Sequence, residues 1–557
     1  MRRPGAGPRR QRGLSRRWLA SGASLLVALA AAACSSPGPT PTPTTSVTSD
    51  APALPIVVSA LPMSTDLRPA NVEDPYTERV VGLLLRGLVR YDAKGKAVNE
   101  VAESIETPDN RVFTVRLGAD WVFGNGEPVT ASSFVDAWNY AARASSGQFS
   151  ARDFAPILGY DAVRRPAGAP GAANDLAGLE VLDARTLRIT LTQTEPGFAD
   201  ALGQTAFAPL PKAALTDPAA WSRQPVGNGP YRLDGAWPER PAGGATIRLR
   251  PNPTYRGGQP PQNAGIDLRV YDTAEAAYGD LRTGVLDVVD QVPVAALPRY
   301  RTELGSRGVN QPVGVAQSLV FPLARDPWQG ERGLRLRQAI STAIDRHALA
   351  SGLLADTALP ATDLSAPVVE GYSTEVCAQW CTRDQDLAAR SAQLAGSWSG
   401  PLTIAYAADR DDGPVATDVC REVTQSLGLP CQPRGYPTLL ALREAIALGS
   451  ETGPYLETWT MARPTLAAFL VPRFETGSPD NGSGFTNDLV DSRFGAAATA
   501  SVAAQPAAYA AVEPLVIASL PVVPLWSRNA VGGTGPHVTG VRTDVFGSPV
   551  YPEITRP

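Results

Sequence analysis

Histidine is almost missing from this chain, with two residues in 557. His347 and His537 are the only imidazoles, and no His-Glu-x-x-His, Gly-x-Ser-x-Gly elbow or Cys-His pairing is present. The usual assemblies for zinc, serine and thiol hydrolysis are therefore lacking, and no catalysis and no cofactor are expected. Gly124-Asn125-Gly126 and Gly227-Asn228-Gly229 are not followed by Lys-Ser or Lys-Thr, so neither is a phosphate loop. Both are expected to be turns in which Asn and Gly supply positive φ. Nothing after residue 54 is long and apolar enough to cross a bilayer, and there is no tandem repeat. Positive charge is also scarce in the body. The net charge of -4 includes seven arginines before residue 18, so without residues 1–33 it becomes -4 - 7 = -11. An acidic body excludes nucleic acid and a polybasic membrane patch as expected partners.

Those seven arginines precede an apolar run from Trp18 to Ala33, the pattern of a signal peptide at residues 1–33. Ala31-Ala32-Ala33-Cys34 resembles a lipobox, with Cys34 as the lipidated new N-terminus; plain cleavage after Ala-x-Ala would leave Cys34 as an odd thiol. Ser15-Arg16-Arg17-Trp18-Leu19 also resembles a twin-arginine export signal. Residues 34–55 are mainly Ser, Pro and Thr, too poor in apolar mass to fold, and form a semi-extended tether. The expected location is extracytoplasmic, on the outer face of the cell membrane. The four remaining cysteines, Cys377, Cys381, Cys420 and Cys431, suit two disulfides between neighbours in an oxidising compartment. A four-thiolate zinc site is the alternative, although the spacings are not those of a zinc ribbon and no His lies near.

A body of this length needs more than one core. Helical and alternating patterns mix irregularly, giving an α/β chain. Strands are expected at 56–60, 111–117, 187–191 and 246–249, and helices at 75–86, from Thr130, at 334–349, 417–426 and 438–448.

Seven blocks then carry a resemblance. They are Arg86-Gly-Leu-Val-Arg-Tyr-Asp92, Val101-Ala-Glu-Ser-Ile105, Trp121-Val-Phe-Gly-Asn-Gly-Glu-Pro-Val-Thr-Ala131 leading to Phe134 and Trp138, Pro225-Val-Gly-Asn-Gly-Pro-Tyr231, Arg250-Pro-Asn-Pro-Thr-Tyr255, Gly284-Val-Leu-Asp287, and Leu334 to Arg346. In that order they resemble the extracytoplasmic solute-binding proteins of family 5, the binding subunits of peptide and nickel ABC importers, in an actinobacterial lipoprotein version. The resemblance implies a two-lobed periplasmic-binding-protein-like fold (type II, cluster C) with mixed sheets and a discontinuous lobe I. Lobe I would take residues 56–272, with an extra subdomain at about 96–177, and lobe II residues 273–504. The chain would return to lobe I at 505–557.

The same resemblance places candidate ligand contacts at Tyr436, Arg443, Glu457, Trp459, Ala462 and Arg463. Family members read Trp-x-x-Asp-Tyr-Pro where this chain has Trp459-Thr460-Met461-Ala462-Arg463-Pro464, so the carboxylate that pairs with a peptide ammonium is replaced by Ala462. Glu457, two residues before Trp459 and on the same strand face, is the expected substitute. Arg443 either holds a carboxylate of the ligand or is a surface charge on its helix. Ser318-Leu319-Val320-Phe321-Pro322 lacks the Tyr or Asn that faces ligand in the family, which implies a more apolar pocket or a lost one. The expected function is capture of an oligopeptide or related small solute by a monomer and its delivery to an ABC permease and ATPase. The alternative is an envelope lipoprotein that keeps the fold as a regulatory or interaction module.

Overall fold

The computed structural model describes residues 54–396, 400–410 and 412–556. The expected signal peptide (1–33), Cys34 and the tether up to residue 53 lie outside the described residues. Ile56-Val57-Val58-Ser59-Ala60 is buried at four of its five positions and forms β1 (Ile56–Ala60). A strand so evenly apolar belongs inside a sheet, and β1 lies within one of eleven strands. The others are β2 (Tyr231–Leu233), β3 (Thr246–Pro251), β4 (Ile266–Val270), β5 (Val288–Val289), β6 (Gly308–Val320), β7 (Ala358–Pro360), β8 (Leu402–Ala407), β9 (Cys431–Tyr436), β10 (Tyr455–Thr460) and β11 (Val522–Thr534). Their order is β9-β8-β10-β6-β11-β5-β1-β4-β3-β2, with β7 paired to β11. The sheet is mixed: β1 runs parallel to β4 and β5, while β6 is antiparallel to β10 and β11.

Two hydrophobic cores flank this sheet and define two lobes. One collects residues from Ile56 to Val270 together with Val288, Tyr551 and Ile554; the other runs from Ala277 to Val545. The sheet passes between them at a narrow seam, where Val58 faces Val288 and the pair Val288–Val289 faces Thr534–Gly533. The helices Gln505–Ala510 and Glu513–Ser519, with Val512 between them, bury Tyr509, Val512, Val516 and Ile517 in the second core. Val538 and Val541, further along the chain, pack against the first core. The first lobe also carries a smaller sheet-based subdomain. Its four-stranded sheet orders Ala102–Glu106, Val112–Leu117, Thr186–Thr190 and Leu179–Asp183, so two strands beyond residue 177 complete it. It shares the first core through Phe113, Leu187 and Ile189.

Local signals explain most elements. Helix Ala131–Ala142 begins at Thr130, whose N–H donates to Ser133 Oγ at 3.1 Å. It delivers Trp138 into an aromatic cluster 5.3 Å from Phe207, with the indole N–H donating to the Phe207 carbonyl at 3.0 Å. Gly126 does have positive φ, at 85°. Gly227 and Gly229 do not need it; they are glycines because a Cβ would lie 1.9 Å from the Leu84 carbonyl and 2.4 Å from that of Leu83. Between them Asn228 exchanges two 3.0 Å hydrogen bonds with the backbone of Arg86, fixing the end of helix Pro75–Leu84.

The expected helix 334–349 is two helices, Gly330–Ala343 and Arg346–Ser351. Ile344 is extended, and Asp345 caps the second by accepting the Ala348 N–H at 2.9 Å. The break lets Arg346 turn inward. Arg346 is buried and donates to the carbonyls of Pro524 (2.7 Å) and Ser341 (2.9 Å), and Arg337 likewise reaches Leu520 (2.9 Å) and Ser519 (2.8 Å). Burial pushes the Arg337 guanidinium down to about 10 and that of Arg346 down to about 9. Two arginines thus fasten the helix pair to the strand that leads back to lobe I. Cys377 is bonded to Cys381, and Cys420, on helix Gly413–Leu427, to Cys431 at the start of β9. Among the described residues no helix is long and apolar enough to cross a membrane.

Candidate ligand-binding cleft

A cavity of about 1520 Å³ lies between the two cores, lined by residues that flank both. Its wall from the second core is the end of β10 and the segment that follows. In β10, Glu457 and Trp459 are partly buried whereas Thr458 and Thr460 are exposed, as strand alternation requires. Thr458 and Thr460 line the cavity, and nothing in the sequence had marked them.

Of the six candidates, Arg443, Trp459, Ala462 and Arg463 line the cavity; Tyr436 and Glu457 do not. Tyr436 donates its hydroxyl to Glu451 at 2.9 Å. Glu457 accepts from Arg473 Nε at 2.9 Å, and Arg473, 2% exposed, also donates to Ser318 Oγ (3.1 Å) and the Leu364 carbonyl (3.2 Å). The Glu457 carboxylate is thus the counter-charge of the buried Arg473. Trp459 belongs to the same cluster: Arg473 stands 6.0 Å from its ring centre, and its indole N–H donates to the Ala468 carbonyl at 2.8 Å. Packing against helix Leu466–Phe474 therefore holds the segment 459–463 in place.

The segment Ser318 to Pro322 contributes nothing to the lining, since Ser318, Leu319 and Val320 sit between β10 and β11 in mid-sheet. The expected apolar pocket is replaced by a charged one. Arg463 reaches Glu195 at 3.9 Å, and Arg152 reaches Asp480 at 2.6 Å. Glu78, Asp153 and Glu475 also line the space. Burial pushes Asp153 up to about 6, against the pull of Arg152 and Arg463. It likewise raises Glu78, Glu195 and Glu475, with Thr205 opposing at Glu78 and Arg463 at Glu195. Burial raises all four in spite of these neighbours, so the cleft favours N–H donors and positive charge. Among the described residues there is no cluster of side chains fit to hold a metal ion.

Residues 96–476 match the bacterial extracellular solute-binding proteins, family 5 Middle. The chain is 25% identical over 465 residues to the periplasmic murein peptide-binding protein MppA of Escherichia coli, covering 80% of this chain and 83% of that one. It is 28% identical over 315 residues to the probable deoxycholate-binding periplasmic protein YgiS of Escherichia coli, spanning 55% of this chain and about half of that protein's length, 56%. Among solved structures, E. coli MppA superposes with a TM-score of 0.76 at 20% identity, over 90% of this chain and 98% of that one. Haemophilus influenzae OppA in complex with RPPGFSPFR gives 0.74 at 20% identity, over 90% and 99%. These superpositions show the two-lobed binding-protein fold.

Proposed function

Because the chain belongs to the bacterial extracellular solute-binding proteins of family 5, we propose that it captures a peptide or related small solute between its lobes and delivers it to an ABC permease and its ATPase. The observation that carries this reading is the cavity of about 1520 Å³ between the two cores. Sites for single drug-sized molecules hold roughly 300–1,000 Å³, so this one suits several residues of extended peptide. Thr458 and Thr460 offer hydroxyls along one wall for backbone groups, and Arg443 is placed on that lobe to receive a carboxylate. With Ala462 uncharged and Glu457 engaged by Arg473, a positively charged group of the solute is met instead by Asp153 and Glu78 on the opposite lobe. Lipidation at Cys34 would hold the protein, as a monomer, on the outer face of the membrane, with the tether setting its distance from the permease.

The test is a thermal-shift screen of the chain from Cys34 onward, disulfides intact, against pools of di- to octapeptides, N-acetylated peptides, deoxycholate and nickel. A ligand that binds only the native state raises the melting temperature by mass action. Shifts with free peptides support peptide capture. Shifts with deoxycholate alone move the solute class to bile-acid-like amphiphiles. Silence from every pool overturns transport in favour of an envelope lipoprotein that uses this fold as an interaction module.

A further inference from the structure

Among the described residues, several groups of the two lobes meet across the cleft, two ion pairs and a tight turn among them. Arg152 and Glu195 flank residues of the first core, Asp480 and Arg463 residues of the second, and all four line the same cavity. The pairs are Arg152 with Asp480 at 2.6 Å and Arg463 with Glu195 at 3.9 Å. Beside them, Gly95 turns the chain of the first lobe at φ 81°, and a Cβ built there would stand 2.8 Å from Cβ of Pro464. The turn and Pro464 are thus in direct contact, next in sequence to the guanidinium that makes the second pair.

We infer that these contacts form an electrostatic latch that holds the lobes together before any solute arrives, with Arg463 as its central positioning residue. The two pairs differ in kind. Arg152 is 52% exposed, so its bond is a rim contact that salt will screen. Arg463 is 27% exposed and faces Glu195, itself 23% exposed, inside the cleft. Its charge is felt at Asp153 and Asp200 as well as at Glu195, all three in the first lobe. The second lobe adds Glu475 and Asp480 to the same space. Removing Arg463 therefore does more than break one pair: it leaves Glu195, Asp153 and Asp200 of the first lobe without the cation of the second lobe that acts on all three. Guanidinium is charged at every physiological pH, so the latch is not released by titration of its cations. It is released by a group that competes for the same carboxylates or by ionic strength. A solute that needs the open form binds with its apparent affinity reduced by the fraction of molecules that are open.

The latch does not depend on which solute is carried, and its test needs none. Nitroxides placed through an unnatural ketone residue at Val181 and Leu489, exposed positions on the first and second lobes, report the interlobe distance by double electron–electron resonance. In the solute-free chain from Cys34 onward the expected result is a dominant short distance. Arg463→Gln should lower the closed-to-open ratio about five-fold, and Arg463→Gln with Arg152→Gln about ten-fold or more, in the range that partly exposed ion pairs support. The exchange Arg463→Glu with Glu195→Arg should restore the short distance, which a merely structural part for either side chain would not predict. Salt at 1 M should act as the double variant does. A wild-type distribution already at long distance overturns the inference, and so does a short distance that is unchanged in the double variant.

Discussion

Replacing Glu513 by Gln should make the protein more stable, and increasingly so as pH rises. Glu513 opens helix Glu513–Ser519 with its side chain at 0% exposure, and neither carboxyl oxygen makes a well-aligned hydrogen bond. Asp363, itself buried, lies beside it, and its oxygens accept from the Ser365 N–H (2.8 Å), the Ser365 hydroxyl (2.7 Å) and the Ser373 N–H (2.8 Å). Burial first, and the Asp363 charge second, push the Glu513 carboxyl from its ordinary 4.5 up to about 10. The native state therefore holds a proton that the unfolded chain releases above its own value of about 4.5. Where the unfolded state binds fewer protons, stability falls as pH rises, and here the window runs from about 4.5 to about 10. From 4.5 to pH 7 is about 2.5 units, and at about 1.36 kcal/mol per unit the native state loses on the order of 3 kcal/mol. Glutamine carries no such proton, and its amide can donate to Asp363 in the same space. Urea unfolding of both proteins at pH 5, 7 and 8.5 measures the difference. The expected gain is under about 1 kcal/mol at pH 5 and about 3 kcal/mol at pH 7, and it is larger still at pH 8.5. Parallel stability curves would refute the assignment of a neutral Glu513, whatever their offset.

A lysine-rich octapeptide should bind about ten-fold more tightly at pH 7 than at pH 5, because Asp153, raised to about 6, ionises across that interval; calorimetry with Asp153→Asn should show weak, nearly pH-independent binding. Arg346→Leu leaves the carbonyls of Pro524 and Ser341 without donors, and denaturant unfolding should record a loss of about 3 kcal/mol or more, since each orphaned buried group costs about 1–3 kcal/mol. Trp138→Ala empties the centre of the aromatic cluster with Phe207 and Phe154 and should cost about 3–5 kcal/mol in the same assay. Reducing Cys420–Cys431, which closes a separation of 11 residues, should lower stability by about 2–3 kcal/mol on the loop-entropy account, readable as a fall in Tm with reductant.

Period and capping carried most of the scaffold. The alternation at 112–117 and the Thr130 start of helix Ala131–Ala142 were legible because each depends on neighbours in sequence. Gly227-Asn228-Gly229 was read as a turn for the wrong reason, since close approach to the carbonyls of Leu83 and Leu84 is a tertiary fact. The inward turn at Ile344 was hidden for a similar reason: six apolar positions at helical spacing outvoted two arginines whose acceptors lie about 180 residues away. Trp459, Ala462, Arg463 and Arg443, which line the cavity, are expected there from the family pattern alone, and nothing in the periodicity points to them. Glu457 pairs with Arg473, which no local signal announces. The carboxylates Glu78 and Asp153 escaped notice altogether, as charged residues on what reads as a solvated surface until a second lobe closes over it.

The seam between the lobes has a mechanical meaning. Among the described residues, the strand pairs that carry the sheet across it are formed by Val58, Val288, Val289, Gly533 and Thr534, and all three registered pairs involve the two-residue strand β5. A strip this narrow resists being pulled apart, because its backbone bonds act in tension, yet offers little resistance to twist, because so few neighbouring bonds must shear together. Gly532 and Gly533 pack so closely that a Cβ on either would lie 2.5 Å from Val289 O or from the Leu281 side chain, so β11 approaches β5 there with no side chain of its own in the way. Rotation of one lobe against the other about a line through these residues therefore strains fewer backbone bonds than any sliding of the lobes would.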